Sequence, residues 1–160
     1  MNDFGKRVLV ADDDPVSRLY LTGLLGKWAY HVMAAEDGTR AFELLGSDDG
    51  PPLALLDWEM PGMDGVEVCR RLRNRIRGRP LYLVLLTGRS SPQDVVLGLE
   101  AGADDFLTKP FDKAELRSRL RVGERVLEVT SQLELRVSEL VQALARVKQL
   151  EAQAAVAARV

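Results

Sequence analysis

Residues 52–65 have the sequence PLALLDWEMPGMDG, in which the apolar run Leu53 to Leu56 leads directly into Asp57. An apolar run without polar alternation is typical of a strand that is buried on both faces of a parallel sheet. In such sheets, ligand chemistry collects at the carboxyl ends of the strands. The stretch therefore predicts a central parallel strand, with Asp57 at the edge of the sheet where a site would form.

The same succession, an apolar strand and then a polar side chain, recurs at three other strands before residue 110. The predicted strands, in chain order, are residues 8–10, 31–34, 53–56, 81–86 and 106–107. Helical patterns follow the strands, over residues 15–27, 39–45, 65–75, 92–102 and from residue 112 onward. Asp14-Pro15 begins the first helix, as an N-cap with proline at the first helical position. Strands that alternate with helices in this way predict an α/β fold, a doubly wound five-stranded parallel sheet.

Composition excludes several classes of protein. The 160 residues are 46% apolar and 29% charged, as in a globular protein with one domain and an appendage. The formal net charge of -2 indicates no general attraction to nucleic acid or to an anionic membrane. No apolar run approaches the roughly 20 residues of a membrane span, and the first residues lack a signal-peptide pattern, so we expect a cytoplasmic protein with no membrane partner. Cys69 is the only cysteine, which excludes an intramolecular disulfide and a cysteine-based zinc site.

Residues 69–80, CRRLRNRIRGRP, contain six arginines within ten residues. A basic run of this density can bind a phosphate backbone. This run ends a predicted helix, where the helix dipole favours cations, and no aromatic residues are interleaved with it. We therefore expect that much of it is solvated and that it does not contact nucleic acid.

The character of the chain changes after Asp112, where proline is absent and Gly123 is the only glycine. Apolar residues recur there at spacings of three and four. These positions, which we call the seam, are Val126, Leu133, Val137, Leu140, Leu144 and Val147. A seven-residue repeat of this kind is buried when two helices supercoil around one another. The segment therefore predicts a coiled coil.

The seam is weaker at both of its ends. Thr130 interrupts it, and Glu151 occupies the next position after the last valine of the seam. We predict a domain over residues 1–122 and a coiled-coil helix over residues 123–160 that continues the last domain helix, flexes near Gly123 and forms a homodimer. The alternative is a long solvated helix that pairs with nothing.

Four predicted strand ends carry groups suited to a metal ion and a phosphoryl group. Asp12, Asp13 and Asp57 would meet in one cleft, where each like-charged pair at about 4 Å costs on the order of 4 kcal/mol at an effective dielectric of 20. Without a cation, at least one of their pKa values would be raised. Mg²⁺ removes the repulsion and commonly binds one or two carboxylates together with phosphate oxygens. Lys109 and Thr87 offer a positive charge and a hydroxyl to a phosphoryl group, which Asp57 would attack.

Together, the segments VLVADDDP, LLDWEMPGMDG, LLTG and FLTKPF resemble, in order and spacing, the receiver domain of two-component response regulators. The resemblance covers roughly residues 6–120, about three quarters of the chain. It implies a flavodoxin-like sheet of strand order 2-1-3-4-5, to which the seven-residue repeat adds a long C-terminal helix. It also implies phosphorelay signalling, with a histidine kinase or a phosphotransfer protein as the partner and Mg²⁺ as the cofactor.

Carried over residue by residue, the resemblance makes Asp57 the phosphoacceptor. Asp12 and Asp13 would be the acidic pair around Mg²⁺, and Asp57 and the backbone carbonyl of Glu59 would be its further ligands.

The remaining matches concern the phosphoryl group and the switch. Thr87 and Lys109 would hold the phosphoryl group. Phe106 matches the aromatic switch position, whose ring turns inward when Thr87 is drawn toward the phosphoryl oxygen. Lys109-Pro110 matches a peptide bond that is usually cis in this family.

Three residues beside the site depart from the commonest pattern of the family. Glu59 and Arg89 occupy two variable positions that tune how long the phosphoryl group survives. Gly88 replaces the more usual alanine and would widen access to the site. None of these departures removes a required group.

We therefore predict a phosphorylation-dependent response regulator that is not an enzyme, beyond assisting its own phosphorylation and dephosphorylation. A Mg²⁺-dependent phosphohydrolase with an aspartyl nucleophile is an alternative, although such sites usually carry a second aspartate where this chain has Glu59. An inactive receiver-like scaffold for dimerisation is another. The cognate kinase, the pathway and the output are not specified by the sequence.

Overall fold

The computed structural model of the protein describes residues 6–159. Its five strands are Arg7–Ala11 (β1), His31–Ala35 (β2), Leu53–Asp57 (β3), Tyr82–Thr87 (β4) and Asp105–Thr108 (β5). Its five helices are Pro15–Lys27 (α1), Gly38–Gly46 (α2), Gly65–Arg75 (α3), Pro92–Glu100 (α4) and Lys113–Ala157 (α5). The alternation of strands and helices is as predicted, with strand ends shifted by a residue or two.

The strands form one parallel sheet in the order β2-β1-β3-β4-β5, which confirms the predicted doubly wound, flavodoxin-like fold. β3 lies in the middle of the sheet, with Leu55 opposite Val10 of β1 and Val84 of β4. Every residue of β3 and β4 is buried. The apolar runs of these strands therefore reflect burial on both faces of the sheet.

Alternate residues of the strands pack against helices on opposite faces of the sheet. One face, with Leu9, Leu56 and Leu85, packs against α2 and α3. The other face, with Val10 and Leu55, packs against α1 and the first part of α5. Because helices cover both faces of the sheet, polar side chains can meet at the edge formed by the carboxyl ends of the strands.

The helices begin at the caps that their sequences indicate. Asp14 accepts hydrogen bonds from the backbone N–H groups of Val16 and Ser17, with Pro15 at the first helical position, as predicted. Helix α4 ends at Glu100, two residues earlier than predicted, and Gly102 just beyond it has a φ of +112° that L side chains rarely adopt.

Gly123 has a packing role within α5. The helix passes through this residue without a break, and a Cβ atom built there would lie 2.7 Å from Cδ1 of Tyr82 on β4. The absence of a side chain thus allows the helix to approach the sheet closely. The structure shows no interruption where the sequence predicted flexing.

The chain divides into two compact units, one up to Leu127 and one from Glu128 onward. Leu127 is buried in the first unit, and from Gln132 the side chains of α5 are exposed. The assignment of residues 123–160 to a coiled coil stays a prediction. Within residues 6–159, none of the helices combines the length and the apolar character that crossing a membrane requires.

Candidate acidic site at the strand ends

The carboxyl ends of β1, β3, β4 and β5 bring the predicted site residues together. Asp12 follows β1, Asp57 ends β3, Thr87 ends β4 and Lys109 follows β5. The Nζ atom of Lys109 lies 3.1 Å from Oδ1 of Asp57 and 3.5 Å from Oδ2 of Asp12. The backbone N–H of Lys109 donates a hydrogen bond of 2.7 Å to the carbonyl of Thr87. Residues that are up to 97 positions apart in the chain, from Asp12 to Lys109, therefore form one cluster.

Three carboxylates of this cluster lie close enough to share one cation. Each of Asp12, Asp13 and Asp57 offers an oxygen, and these oxygens all lie within 4.8 Å of one another. Asp12 and Asp57 are buried, whereas Asp13 is exposed. Hard oxygen ligands on an acidic, partly open cleft suit a divalent cation such as Mg²⁺.

Asp12 also carries an oxygen that the protein does not satisfy. Its Oδ1 accepts a hydrogen bond of 2.9 Å from the backbone N–H of Asp14. Its Oδ2 is buried and accepts no hydrogen bond from any group among residues 6–159, although the Lys109 ammonium lies 3.5 Å away. A buried carboxylate oxygen without a donor is costly, and a cation in the cleft would offset that cost. The residues present therefore fit a metal ion.

The electrostatics of the cluster oppose full ionisation of Asp57. Burial raises the pKa of Asp57, Lys109 lowers it, and the charges of Asp12 and Asp13 raise it further, with a net upward direction. For Lys109, burial lowers the pKa, but the attraction of Asp57 and Asp12 outweighs burial and raises it. Lys109 is thus held in its charged form beside a carboxylate whose negative charge is only partly compensated.

The entrance to the cluster is formed by the loops after β3 and β4. A crevice there is lined by Asp13, Trp58, Glu59, Met60, Pro61, Asp64 and Arg89. Gly88 is exposed, and a Cβ atom built on it would meet nothing within 4 Å, so the approach beside Thr87 is open. Thr87 itself is buried, and its Oγ1 accepts a hydrogen bond of 2.9 Å from the backbone N–H of Arg89. Its hydroxyl hydrogen remains available to donate toward the crevice.

Glu59 and Arg89, predicted to flank the site, contact each other across the crevice. The Nε of Arg89 lies 3.1 Å from Oε1 of Glu59, and its guanidinium lies 5.3 Å from the ring centroid of Trp58. Asp94 lies 3.9 Å from the same guanidinium. The resemblance to receiver domains identified these two positions, which lie two residues beyond Asp57 and Thr87. The metal role predicted for the backbone carbonyl of Glu59 stays a prediction.

Phe106 lies half-buried on β5 beside this crevice. Its ring packs edge-to-face against Trp58, with centroids 6.1 Å apart and planes at 85°. Trp58 is buried and packs in the protein. The peptide bond Lys109-Pro110 next to this strand is cis, as predicted.

Two arginines of the basic run are used inside the protein. Arg73 donates to the carbonyls of Gly102 and Leu81 and forms an ion pair with Asp104. Arg79 donates to the carbonyls of Gly50 and Leu45. The other four, Arg70, Arg71, Arg75 and Arg77, are exposed, as predicted for a solvated helix end. The run is therefore partly a set of structural hydrogen-bond donors, which sequence spacing alone did not reveal.

The chain resembles known proteins over the part that builds this site. A family model described as the response regulator receiver domain matches residues 8–121. The response regulator MprA of Mycolicibacterium vanbaalenii is 46% identical over 115 residues, which are 72% of this chain and 48% of that protein. The chain spans about half the length of the curated relatives it matches.

Solved structures with the same fold are also receiver domains. The receiver domain of a signal transduction histidine kinase from Syntrophus aciditrophicus is 36% identical, with a TM-score of 0.67 over 77% of this chain and 90% of that chain. The receiver domain of a sensor histidine kinase from Pseudomonas aeruginosa is 29% identical, with a TM-score of 0.68 over 75% of this chain and 98% of that chain. The latter structure holds a magnesium ion in its active site cleft.

Proposed function

The chain belongs to the response regulator receiver domain family, and we propose that Asp57 is its phosphoacceptor in two-component signalling. The observation that carries the proposal is the convergence of Lys109, Asp12 and Asp13 on the Asp57 carboxylate at the ends of three strands, β1, β3 and β5. The expected donor is the phosphohistidine of a histidine kinase or phosphotransfer protein, or a small phosphoryl donor. The setting is proposed to be cytoplasmic.

In this proposal a carboxylate oxygen of Asp57 attacks the phosphorus of the donor. A P–O bond to Asp57 forms as the P–N bond of the phosphohistidine breaks, and the donor imidazole takes up the electron pair. Lys109 binds one equatorial oxygen of the transferring group, and the Thr87 hydroxyl donates to another. Gly88 leaves room for the donor. The protein then contributes position and charge, which are the main requirements of phosphoryl transfer.

We assign the metal site to Asp12, Asp13, Asp57 and the backbone carbonyl of Glu59. The unsatisfied Oδ2 of Asp12 and the proximity of three carboxylates support this assignment. Mg²⁺ bound there would neutralise charge on the carboxylates and on the phosphoryl oxygens. The magnesium ion of the Pseudomonas aeruginosa receiver domain supports the same cleft as the site.

Signal output is proposed to pass through Thr87 and Phe106. Thr87 would turn toward the phosphoryl oxygen, and the half-buried ring of Phe106 would follow into the space beside Trp58. The change would reach a homodimer formed through residues 123–160. The exposure of Leu133 and Leu140, 62% and 69%, supports a partner for this helix, because large apolar side chains on one face are stabilised by burial.

The contact between Glu59 and Arg89 argues against the phosphohydrolase alternative. A general acid two residues after the nucleophile needs a carboxyl free to give its proton to a leaving group. Glu59 is instead 72% exposed and ion-paired with Arg89. We therefore propose a signalling domain that assists only its own phosphorylation and dephosphorylation.

Incorporation of phosphate from acetyl phosphate in the presence of Mg²⁺ tests the proposal. The parent chain is expected to take up one phosphoryl group, and Asp57→Asn to take up none. Asp14→Asn is the matched control, because it removes a neighbouring carboxylate while asparagine still caps α1. Equal labelling of parent and Asp57→Asn would disprove the assignment. No labelling of either chain, with Mg²⁺ binding also absent, would favour an inactive scaffold.

A further inference from the structure

We propose that residues 128–157 pair with a second copy of the chain in the antiparallel orientation, with Glu134 of each helix beside Lys148 of the other. The inference rests on the proposed homodimer and adds the direction, the alignment and the residues that select them. It is argued from the charges that flank the seam, because these set partner orientation in coiled coils.

The apolar face of this segment is exposed along its length. The exposed fractions of Leu133, Leu140 and Leu144 are 62%, 69% and 56%. The segment from Glu128 is a compact unit by itself, and it consists of the continuous helix that ends at Ala157. An apolar stripe at heptad spacing on one helix is stabilised when a second helix covers it.

Glu134 and Lys148 occupy equivalent places in the seven-residue repeat. Glu134 directly follows Leu133 of the seam, and Lys148 directly follows Val147, so the two charges lie 14 residues, or two repeats, apart on the same flank of the seam. The equivalent residue between them is Val141. This flank therefore carries a negative charge at one end, an apolar residue in the middle and a positive charge at the other end.

In a parallel dimer, neither Glu134 nor Lys148 would lie beside an opposite charge of the other helix. In that orientation this flank of one helix faces the opposite flank of the other helix, and each residue lies beside the residue five positions earlier in the other copy. Glu134 would lie beside Val129 of the other copy, and Lys148 beside its Ala143. The two copies of Glu151, at the seam position after Val147, would face each other. Like charges at equivalent positions repel, and neither copy would gain an opposite charge in return.

An antiparallel dimer places the same flank of both helices together. Glu134 of each copy then faces Lys148 of the other, which makes two ion pairs. These two ion pairs are related by symmetry about Val141, which lies close to the midpoint of the segment. The two Glu151 side chains are separated by about 20 residues of helix, roughly 30 Å. Arg136 lies on the other flank, where Glu139 of its own helix binds it at 3.2 Å. Charge complementarity therefore favours the antiparallel orientation.

A charge-swap cycle tests this pairing in the full chain by sedimentation equilibrium. Glu134→Lys and Lys148→Glu are each expected to raise the dimer dissociation constant about tenfold, because each turns two attractive contacts into repulsive ones. The double swap is expected to restore the parent value to within about threefold. Glu128→Lys is the matched control, since it makes the same change of charge at an exposed residue on the face of the helix away from the seam. Residues 134 and 148 of one helix are too far apart to interact, so coupling between the swaps arises only across the dimer.

A distance measurement decides the direction separately. A spin label on Gln153→Cys is expected to report more than about 30 Å between the two copies in the antiparallel dimer, and less than about 20 Å in a parallel one. The native Cys69 is fully buried and therefore protected from labelling. A dimer with uncoupled swaps and a short distance would overturn the antiparallel proposal while leaving the homodimer intact. A chain that is monomeric at all concentrations would instead overturn the proposed homodimer itself, and this proposal with it.

Discussion

At the scale of single residues, Asp57 is held in a state that is unfavourable until another group arrives. Its carboxylate is buried beside two other aspartates, and Lys109 compensates only part of that charge. In the proposed function, the same conflict that raises the pKa of Asp57 favours binding of a cation and of the electrophilic phosphorus of a donor. Catalytic and binding residues commonly sit in such perturbed environments.

This conflict predicts that the acceptor destabilises the metal-free protein. Because the pKa of Asp57 is raised above its ordinary value of 3.8, the folded protein retains a proton that the unfolded chain releases. The contribution of Asp57 to stability therefore falls as the pH rises from 3.8 through the raised pKa. Asp57→Asn has no carboxyl group to ionise, so it does not lose stability in this way. It is expected to be more stable than the parent at pH 7 by on the order of 1 kcal/mol.

Urea unfolding in the presence of a chelator measures this difference. The advantage of Asp57→Asn is expected to shrink as the pH is lowered toward 3.8, and added Mg²⁺ is expected to stabilise the parent more than the variant. Asp37→Asn, which alters a carboxylate at the N-cap of α2, is the control for a general charge effect. A variant that is less stable than the parent at pH 7 would contradict the account.

At the scale of elements, the loop between β3 and α3 packs closely against the backbone of Asp57 and Trp58. The N–H of Gly65 donates a hydrogen bond of 2.8 Å to the carbonyl of Trp58, and Asp64 caps α3 through the N–H of Glu67. A Cβ atom built on Gly65 would lie 2.4 Å from the carbonyl oxygen of Asp57. The helix can therefore begin this close to Asp57 only because residue 65 is glycine.

Gly65→Ala is expected to displace the backbone of Asp57 and to lower the free energy of unfolding by about 1–3 kcal/mol. The rate of phosphate incorporation should fall with it, since positioning of the nucleophile is disturbed. Gly88→Ala is the matched control, because a Cβ atom there meets open space, and its stability should differ from the parent by less than about 0.5 kcal/mol. Denaturant unfolding compares the two variants, and acetyl phosphate labelling compares Gly65→Ala with the parent. Equal stability of the two variants would show that the close approach at Gly65 is unimportant.

At the scale of the whole molecule, the sheet and its helices form a unit that includes the first part of α5, up to Leu127. Leu116, Leu120, Gly123 and Leu127 are the buried residues of that helix, and all lie in the unit that ends at Leu127. Glu124 adds an ion pair of 3.1 Å with Lys6 and accepts a hydrogen bond from Tyr30.

Truncation after Leu127 is therefore expected to leave the free energy of unfolding within about 1 kcal/mol of the full chain, compared at a concentration where the full chain is monomeric. Phosphate incorporation should persist, and self-association should be lost, because the seam beyond residue 127 is absent. Urea unfolding and sedimentation velocity are the measurements. Loss of cooperative unfolding in the truncated chain would show that the remainder of α5 contributes to the core.

Local patterns in the chain predicted the elements well, and they predicted that the polar residues at the strand ends lie close together. Apolar runs such as Leu53 to Leu56 are long enough to identify buried strands, and the first-helix signal at Asp14-Pro15 acts within a few residues. The polar residues at the strand ends could be placed in one cleft because parallel strands share an edge. The resemblance to receiver domains then supplied strand order and site roles that residue spacing alone leaves open.

By itself the sequence determined the type and order of the elements and the edge of the sheet where the polar side chains meet, because periodicity and capping act within short stretches of chain. With Cys69 as the only cysteine, it also excluded an intramolecular disulfide. Only the tertiary structure decided which distant groups meet. It placed Arg89 on Glu59 and Trp58, turned Arg73 inward to partners about 30 residues away, and made Gly123 a packing position. These contacts depend on which strands are neighbours and how closely helices approach them, and no periodicity in the chain encodes those distances.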